Sequence, residues 1–364
     1  MTVRRIAAMS DLFNTYHAHP ATLSGNGGVV LPNVCIFRVF VTAVPCLFAI
    51  AGLTPAPQLE MLSADAFARA GAFISSTGRP LERTLFAFHF AHGGRDAVIA
   101  ELTRFQNMDG GFASDLDGDT RWSGSSPMGT MIGLRILNEV KAPGEDPHVQ
   151  AAIRYLLANF DGEKGYWHAL PQEANRAPHA PWWNVREDAG TCEVESPVFP
   201  TAAIAGYLQA YSARLPPGFL EKITNSSVQY LAAAPTRMPM PDMEALTTLV
   251  QFLPPNKRSE AVAKLDRVLA AVVERDPQKW NSYTVQPLTF IHTPDSPFYA
   301  RLKDAIPPNL DYVISTQQPD GGWKLTWSWE KADPVAWKVA EKEWRGAVAL
   351  ENLEKLDSFH RINH

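Results

Sequence analysis

From Met61 onward, apolar residues recur at three- and four-residue intervals, the spacing that lines one side of an α-helix. Clusters of Gly, Pro, Asn and Asp interrupt this pattern and mark turns between segments. The pattern predicts helices over 63–76, 80–92, 94–106, 126–140, 147–159, 198–213, 218–233, 242–253, 258–274, 296–305, 309–317 and 334–357. No run alternates apolar and polar residues long enough to compete as a strand. Three segments are apolar nearly all round and carry small residues where neighbouring helices must approach closely. They are MGTMIGLRIL from Met128, FPTAAIAGYLQAY from Phe199 and WRGAVALENL from Trp344, and they suit an inner ring of helices. SEAVAKLDRVLAAVVE, at Ser259 to Glu274, keeps a polar side and suits an outer ring. Ser63 stands where it can cap the first helix, MLSADAFARAGAFI.

The turns carry a second pattern. QNMDGGF at Gln106 to Phe112 and QQPDGGW at Gln317 to Trp323 each follow a stretch of helical character. Asp followed by two glycines can take the positive φ of a helix-ending turn without a Cβ clash. The aromatic after them can fold back on the helix just completed, and the Gln amide can satisfy backbone groups at a neighbouring helix end. A degenerate third copy runs from Asn159-Phe160-Asp161-Gly162 to Gly165-Tyr166-Trp167. Its offset of about fifty residues from Gln106 is a plausible length for a helix-pair repeat.

The two full motifs resemble the QW-type repeats of the terpenoid cyclase and protein prenyltransferase superfamily, over about residues 61–357. The resemblance implies an all-α fold, an α/α toroid of two concentric rings of helices, and a central cavity that binds an isoprenoid or other apolar small molecule. A HEAT-like open solenoid is the alternative arrangement of the same helices. Residues 1–60 then form an N-terminal extension and 61–364 the toroid domain.

Composition narrows the partners. With 46% hydrophobic and 20% charged residues the chain has a soluble globular balance, and a formal charge of −5 with scattered Lys and Arg gives no footprint for nucleic acid. Cys35, Cys46 and Cys192 show neither CxxC spacing nor a His-x-x-x-His partner, so neither a zinc cage nor a disulfide framework is expected, and no cofactor is implied. Prolines cluster between apolar runs, where they fix φ at the start of a helix. VCIFRVFVTAVPCLFAIAGL, residues 34–53, is long enough to span a bilayer but contains Arg38 and Pro45 and lies too far in for a signal peptide. A cytoplasmic protein is expected, with membrane association through 34–53 as the alternative.

Candidate chemistry centres on Asp115, Asp117 and Asp119 in DLDGDT, just after the first motif. Class II terpene cyclases use a D-x-D-D motif whose middle Asp donates a proton to an alkene, and the resemblance assigns that role to Asp117, assisted by Asp115 and Asp119. Neighbouring carboxylates raise such a pKa because close like charges do not both ionise cheaply. Gly118 departs from the pattern. The other readings of the cluster are a solvated loop, a cap at Asp119, or the opening of a calcium loop, whose terminal Glu is replaced by Ser126. His179, Trp182 and Trp183 lie in a thirty-residue segment of little periodicity and are candidates for a pocket wall or a plug at the barrel end, and Trp327 and Trp329 could reach the mouth. The aspartate-rich diphosphate motif and the zinc ligands of protein prenyltransferases are both missing. The leading expectation is a toroid that binds an apolar ligand, with proton-initiated cyclisation as its chemistry. A carbohydrate-active (α/α) barrel using Asp188 and Glu195, or Asp117 with Glu187, is one alternative, and a non-catalytic helical scaffold is another. The cavity lining discriminates among the three.

Overall fold

A computed structural model describes residues 59–363 of the chain; the extension and its apolar run at 34–53 lie outside them. The described residues form twelve α-helices and no strand. In chain order these are α1 (Ala64–Thr77), α2 (Pro80–Phe90), α3 (Arg95–Leu102), α4 (Pro127–Glu139), α5 (Pro147–Ala158), α6 (Thr201–Leu208), α7 (Phe219–Ala233), α8 (Met240–Phe252), α9 (Pro255–Val272), α10 (Tyr299–Leu302), α11 (Ile306–Ser315) and α12 (Pro334–Ser358). No helix among the described residues is long and apolar enough to cross a membrane.

Local chemistry accounts for most helix starts. The Ser63 hydroxyl accepts the Ala66 N–H at 3.2 Å, as the sequence predicts, and Asp333 caps α12 at the N–H groups of Val335 and Ala336. Helices α2, α4, α5, α8, α9, α11 and α12 each carry a proline in the first turn, where no N–H partner is lost. Burial separates two kinds of helix. In α6 every residue except Tyr207 is buried, whereas α9 buries only Ala261, Leu265, Val268 and Leu269 along one side. The first must be surrounded by protein and the second has an open face. α6 packs most extensively against α8, and also against α4 and α7.

The two ends of the described chain meet. α12 packs against α1 and α2, the Leu62 N–H donates to Arg361 O at 2.8 Å, and the Asn363 N–H returns to Leu62 O at 2.9 Å. The close approach uses Gly346 of α12, where a Cβ would come within 2.7 Å of the Gly78 Cα.

Each Asp-Gly-Gly turn docks on a helix N-terminal region. The Gln106 amide donates to Gly110 O and to His148 O of α5, at 3.0 and 2.9 Å. The Gln317 amide donates to Gly321 O and to Ala66 O of α1, at 3.1 and 2.9 Å. Gly110 has φ +90° and Gly321 φ +93°, the left-handed region that glycine enters without strain. In both turns the Asp carboxylate accepts the second glycine's N–H at 3.0 Å. The following aromatics are buried, and the Trp323 indole donates back to Val313 O of α11. Trp167 repeats this in the degenerate copy, donating to Leu156 O of α5 at 2.7 Å.

Candidate active site

The chain after the first turn makes one short 3₁₀ turn, Ser114–Leu116, and then folds its three aspartates into a compact loop. The Asp117 N–H closes on Ser114 O at 3.0 Å, and one Asp117 carboxylate oxygen accepts the Asp119 N–H at 2.7 Å. From outside the loop, the Arg79 guanidinium donates to the carbonyls of Asp115 and Leu116 at 3.3 and 3.1 Å, while its other edge pairs with Glu82 at 2.6 Å. Ser126, which replaces the last ligand of a calcium loop, caps α4 through the Gly129 N–H and binds the Ser114 hydroxyl at 2.7 Å.

Asp119 joins distant parts of the sequence. Its Oδ1 accepts the indole N–H groups of Trp329 and Trp344, at 2.8 and 2.7 Å. Trp327 crosses Trp344 edge to face at 5.3 Å and turns its Nε1 toward the same carboxylate without reaching hydrogen-bond geometry. A Cβ on Gly118 would lie 2.6 Å from the Trp344 Nε1. Gly118, which breaks the D-x-D-D pattern, is thus the residue that lets the indole approach. Arg121 pairs with Glu343 of α12 at 2.8 Å beside this cluster.

The His179 segment reaches the same loop through its backbone. Ala180 N–H donates to Asp119 O at 2.8 Å, and Arg121 N–H donates to Pro178 O at 2.9 Å. The His179 Nδ1–H is spent on Ala177 O at 2.7 Å. Trp182 is half-buried, but Trp183, expected on a pocket wall, is buried and tilted against Phe199 at 6.2 Å. Trp329, expected at the mouth, is 2% exposed and held between Asp119 and Trp337. Apolar contact on several sides makes both tryptophans part of the packing. Of the carboxylates proposed for glycan chemistry, Glu195 has a side chain 1% exposed and bonded to His168 and the Ala169 N–H, while Asp188 is 83% exposed beside Arg186. The two are in opposite environments.

Electrostatics divide the aspartates. Burial, then the nearby Asp119 charge, pushes the Asp117 carboxyl up to about 7, against the pull of Arg79 and Arg121. Asp119 is also raised by burial, but its indole hydrogen bonds favour the ionised form. The two carboxylates therefore titrate as a pair, and the indole hydrogen bonds favour placing its negative charge on Asp119. Burial raises Asp115 as well, and its Oδ1 is a buried acceptor without a hydrogen-bond partner.

Beyond this loop the lining is charged. Tyr283 is 53% exposed, yet loss of solvent around its hydroxyl, then the charges of Glu244 of α8 and Asp119, push that group up to about 12. Glu244 is exposed at its surface, and partial loss of solvent from the protein crowded around it, then Glu351, push its carboxyl up to about 7. Glu351 is 51% exposed, yet Lys355, its partner at 2.7 Å, draws it down to about 2, and it also feels His292 and Arg135 of α4. Charged side chains of α4, α8, α12 and the 277–293 segment are therefore near enough to act on one another, and Tyr283 feels both Glu244 and Asp119 of the acidic loop. Sequence reasoning did not single out Arg79, Glu244, Tyr283 or Glu343, and named Trp344 only as the start of an inner-ring segment. An inward face on α12, seven residues from Trp344 to Glu351 and so two helical turns, was the available signal. No protein-family model matches the chain, and no curated protein matches it. 

Proposed function

We propose that the chain is an α/α toroid enzyme in which Asp117 donates a proton to a hydroxylated, glycan-like substrate bound in the central space. The toroid is supported by α12 packing on α1 and α2, and by the second Asp-Gly-Gly turn docking on α1 as the first docks on α5. The observation that carries the chemistry is the divided pair: Asp117 raised to about 7 next to Asp119, whose charge two indoles fix in place. An acid poised near neutral pH suits protonation of a glycosidic oxygen as its bond to the anomeric carbon breaks. Glu244, also raised to about 7 and sensed by Tyr283 together with Asp119, is the second carboxylate of this space. The charged lining of α4, α8 and α12 suits hydroxyl groups, and it would expose a carbocation to water and to nucleophilic carboxylates.

The test is a panel of soluble neutral and uronic-acid polysaccharides, read by new reducing ends or by unsaturated product. Turnover should fall as pH rises through about 7, and Asp117→Asn should lower it by at least about a hundredfold with the fold intact. Full activity in that variant would end the acid role.

A second reading keeps the apolar ligand. Trp327 and Trp344 stand beside the acid as aromatic faces would in a proton-initiated isoprenoid cyclase. Product from a linear polyprenyl substrate, with none from any polysaccharide, would replace the glycan reading with this one.

A further inference from the structure

Away from the acidic loop, three helices bring a histidine and two carboxylates together. His89 lies in the last turn of α2, Glu139 ends α4 and Glu354 lies on α12, ten residues beyond Trp344 and so about 15 Å along the helix. His89 Nε2 is 2.7 Å from Glu139 Oε1 and 3.4 Å from Glu354 Oε1. The three ligand atoms all lie within 4.8 Å of one another. They border a cavity of about 310 Å³ that His292, Glu351, Lys355 and Asp357 also line.

From this geometry we infer that His89, Glu139 and Glu354 form a binding site for one divalent transition ion of the Zn²⁺ class. Ligand atoms around a tetrahedral zinc stand roughly 3.3 Å apart, given metal–ligand bonds of about 2.0–2.1 Å. The two His89 spacings, 2.7 and 3.4 Å, bracket that value. One imidazole and two carboxylates are a donor set for zinc or manganese and offer too little oxygen for calcium. Arg135 reaches the other oxygen of Glu139 at 3.5 Å and so orients that ligand from behind. The adjoining cavity leaves room for water or an oxygen ligand in the remaining positions.

Zn²⁺ titrated into the full chain by calorimetry, with Mg²⁺ as the control ion, tests the site. The expected result is saturable Zn²⁺ binding that weakens at least about a hundredfold, or falls by one ion per chain, in both His89→Ala and Glu354→Gln. His168→Ala, which removes the imidazole beside Glu195 and Asp161, should leave that binding unchanged. Co²⁺ absorption bands of a four- or five-coordinate site should disappear in the first two variants. Glu354→Gln keeps the shape of the side chain, so it carries the test even where His89→Ala loses stability. Absence of saturable Zn²⁺ binding to the folded chain up to about 1 mM, the level of a marginal site, overturns the proposal. So does binding that survives both substitutions.

Discussion

The two Asp-Gly-Gly turns are built alike and continue differently. In each, a Gln amide ties its own glycine carbonyl to the start of another helix, α5 for the first and α1 for the second. After the first comes the acidic loop, and after the second come Trp327 and Trp329. Those continuations meet, because Asp119 from one binds Trp329 from the other and Trp344 from α12. The turns thus supply a repeated scaffold, and what differs between them builds the cluster around Asp119.

The strongest way to break this relation is at the meeting point. Asp119→Ala leaves two indole N–H groups without their acceptor, and hydrogen bonds to a charged group contribute about 1.5–3 kcal/mol each. A loss of about 3 kcal/mol in urea unfolding is expected, with tryptophan fluorescence shifted in the folded state. A loss below about 1 kcal/mol would show that the tryptophans pack without the aspartate.

Equivalence of the turns themselves predicts equal damage at equal positions. A Cβ at Gly110 would lie 2.5 Å from Ala151 O, and one at Gly321 would lie 2.3 Å from Arg69 O, both at positive φ. Gly110→Ala and Gly321→Ala should each cost about 2–3 kcal/mol, combining backbone strain with displacement of a helix carbonyl. A cost confined to Gly110 would mean that the docking of the second turn on α1 contributes little. Gln106→Ala and Gln317→Ala sharpen the same comparison at a smaller scale, about 1 kcal/mol each for the lost amide bonds.

The repeated scaffold was legible in the sequence because its causes are local. A period of 3.6, first-turn prolines and the Asp-Gly-Gly triplet each act within a few residues, and the twelve predicted segments match twelve helices. The poorest match is the predicted helix at 296–305, which holds α-helical form only over Tyr299–Leu302 before a new helix starts at Ile306. The site was legible only in part. Asp119 binds partners 210 and 225 residues away, and no spacing along the chain encodes that. Nor can composition tell a tryptophan in a wall from one in a core, and Trp183 and Trp329 are both buried. The charged lining escaped for a related reason. Glu244 and Glu351 read as ordinary polar positions on amphipathic helices until the fold brings them near enough to act on each other.

The smallest predicted effect separates the two aspartates that the loop holds side by side. Asp117 is held above the ordinary aspartate range, at about 7, so between pH 4 and 7 the folded chain keeps a proton that the unfolded chain releases. That contribution is fully present below about pH 4 and is lost progressively as pH rises to about 7, above which both states are ionised and the difference stays constant. Asp117→Asn keeps the oxygen that accepts the Asp119 N–H and removes the ionisation. Relative to the parent chain it should therefore match in stability near pH 3, below the ordinary aspartate range, and gain about 1 kcal/mol at pH 8, less than the about 1.4 kcal/mol per pKa unit would give because water reaches this half-buried side chain. Thermal melts of both proteins at the two pH values give the sign. If the carboxylate instead acts as a charged cap for its loop, the same substitution should lose about 0.5–2 kcal/mol at pH 8. A gain at high pH together with lost turnover would place the proton on Asp117 and the fixed charge on Asp119, whereas a loss would make both aspartates struts of one turn.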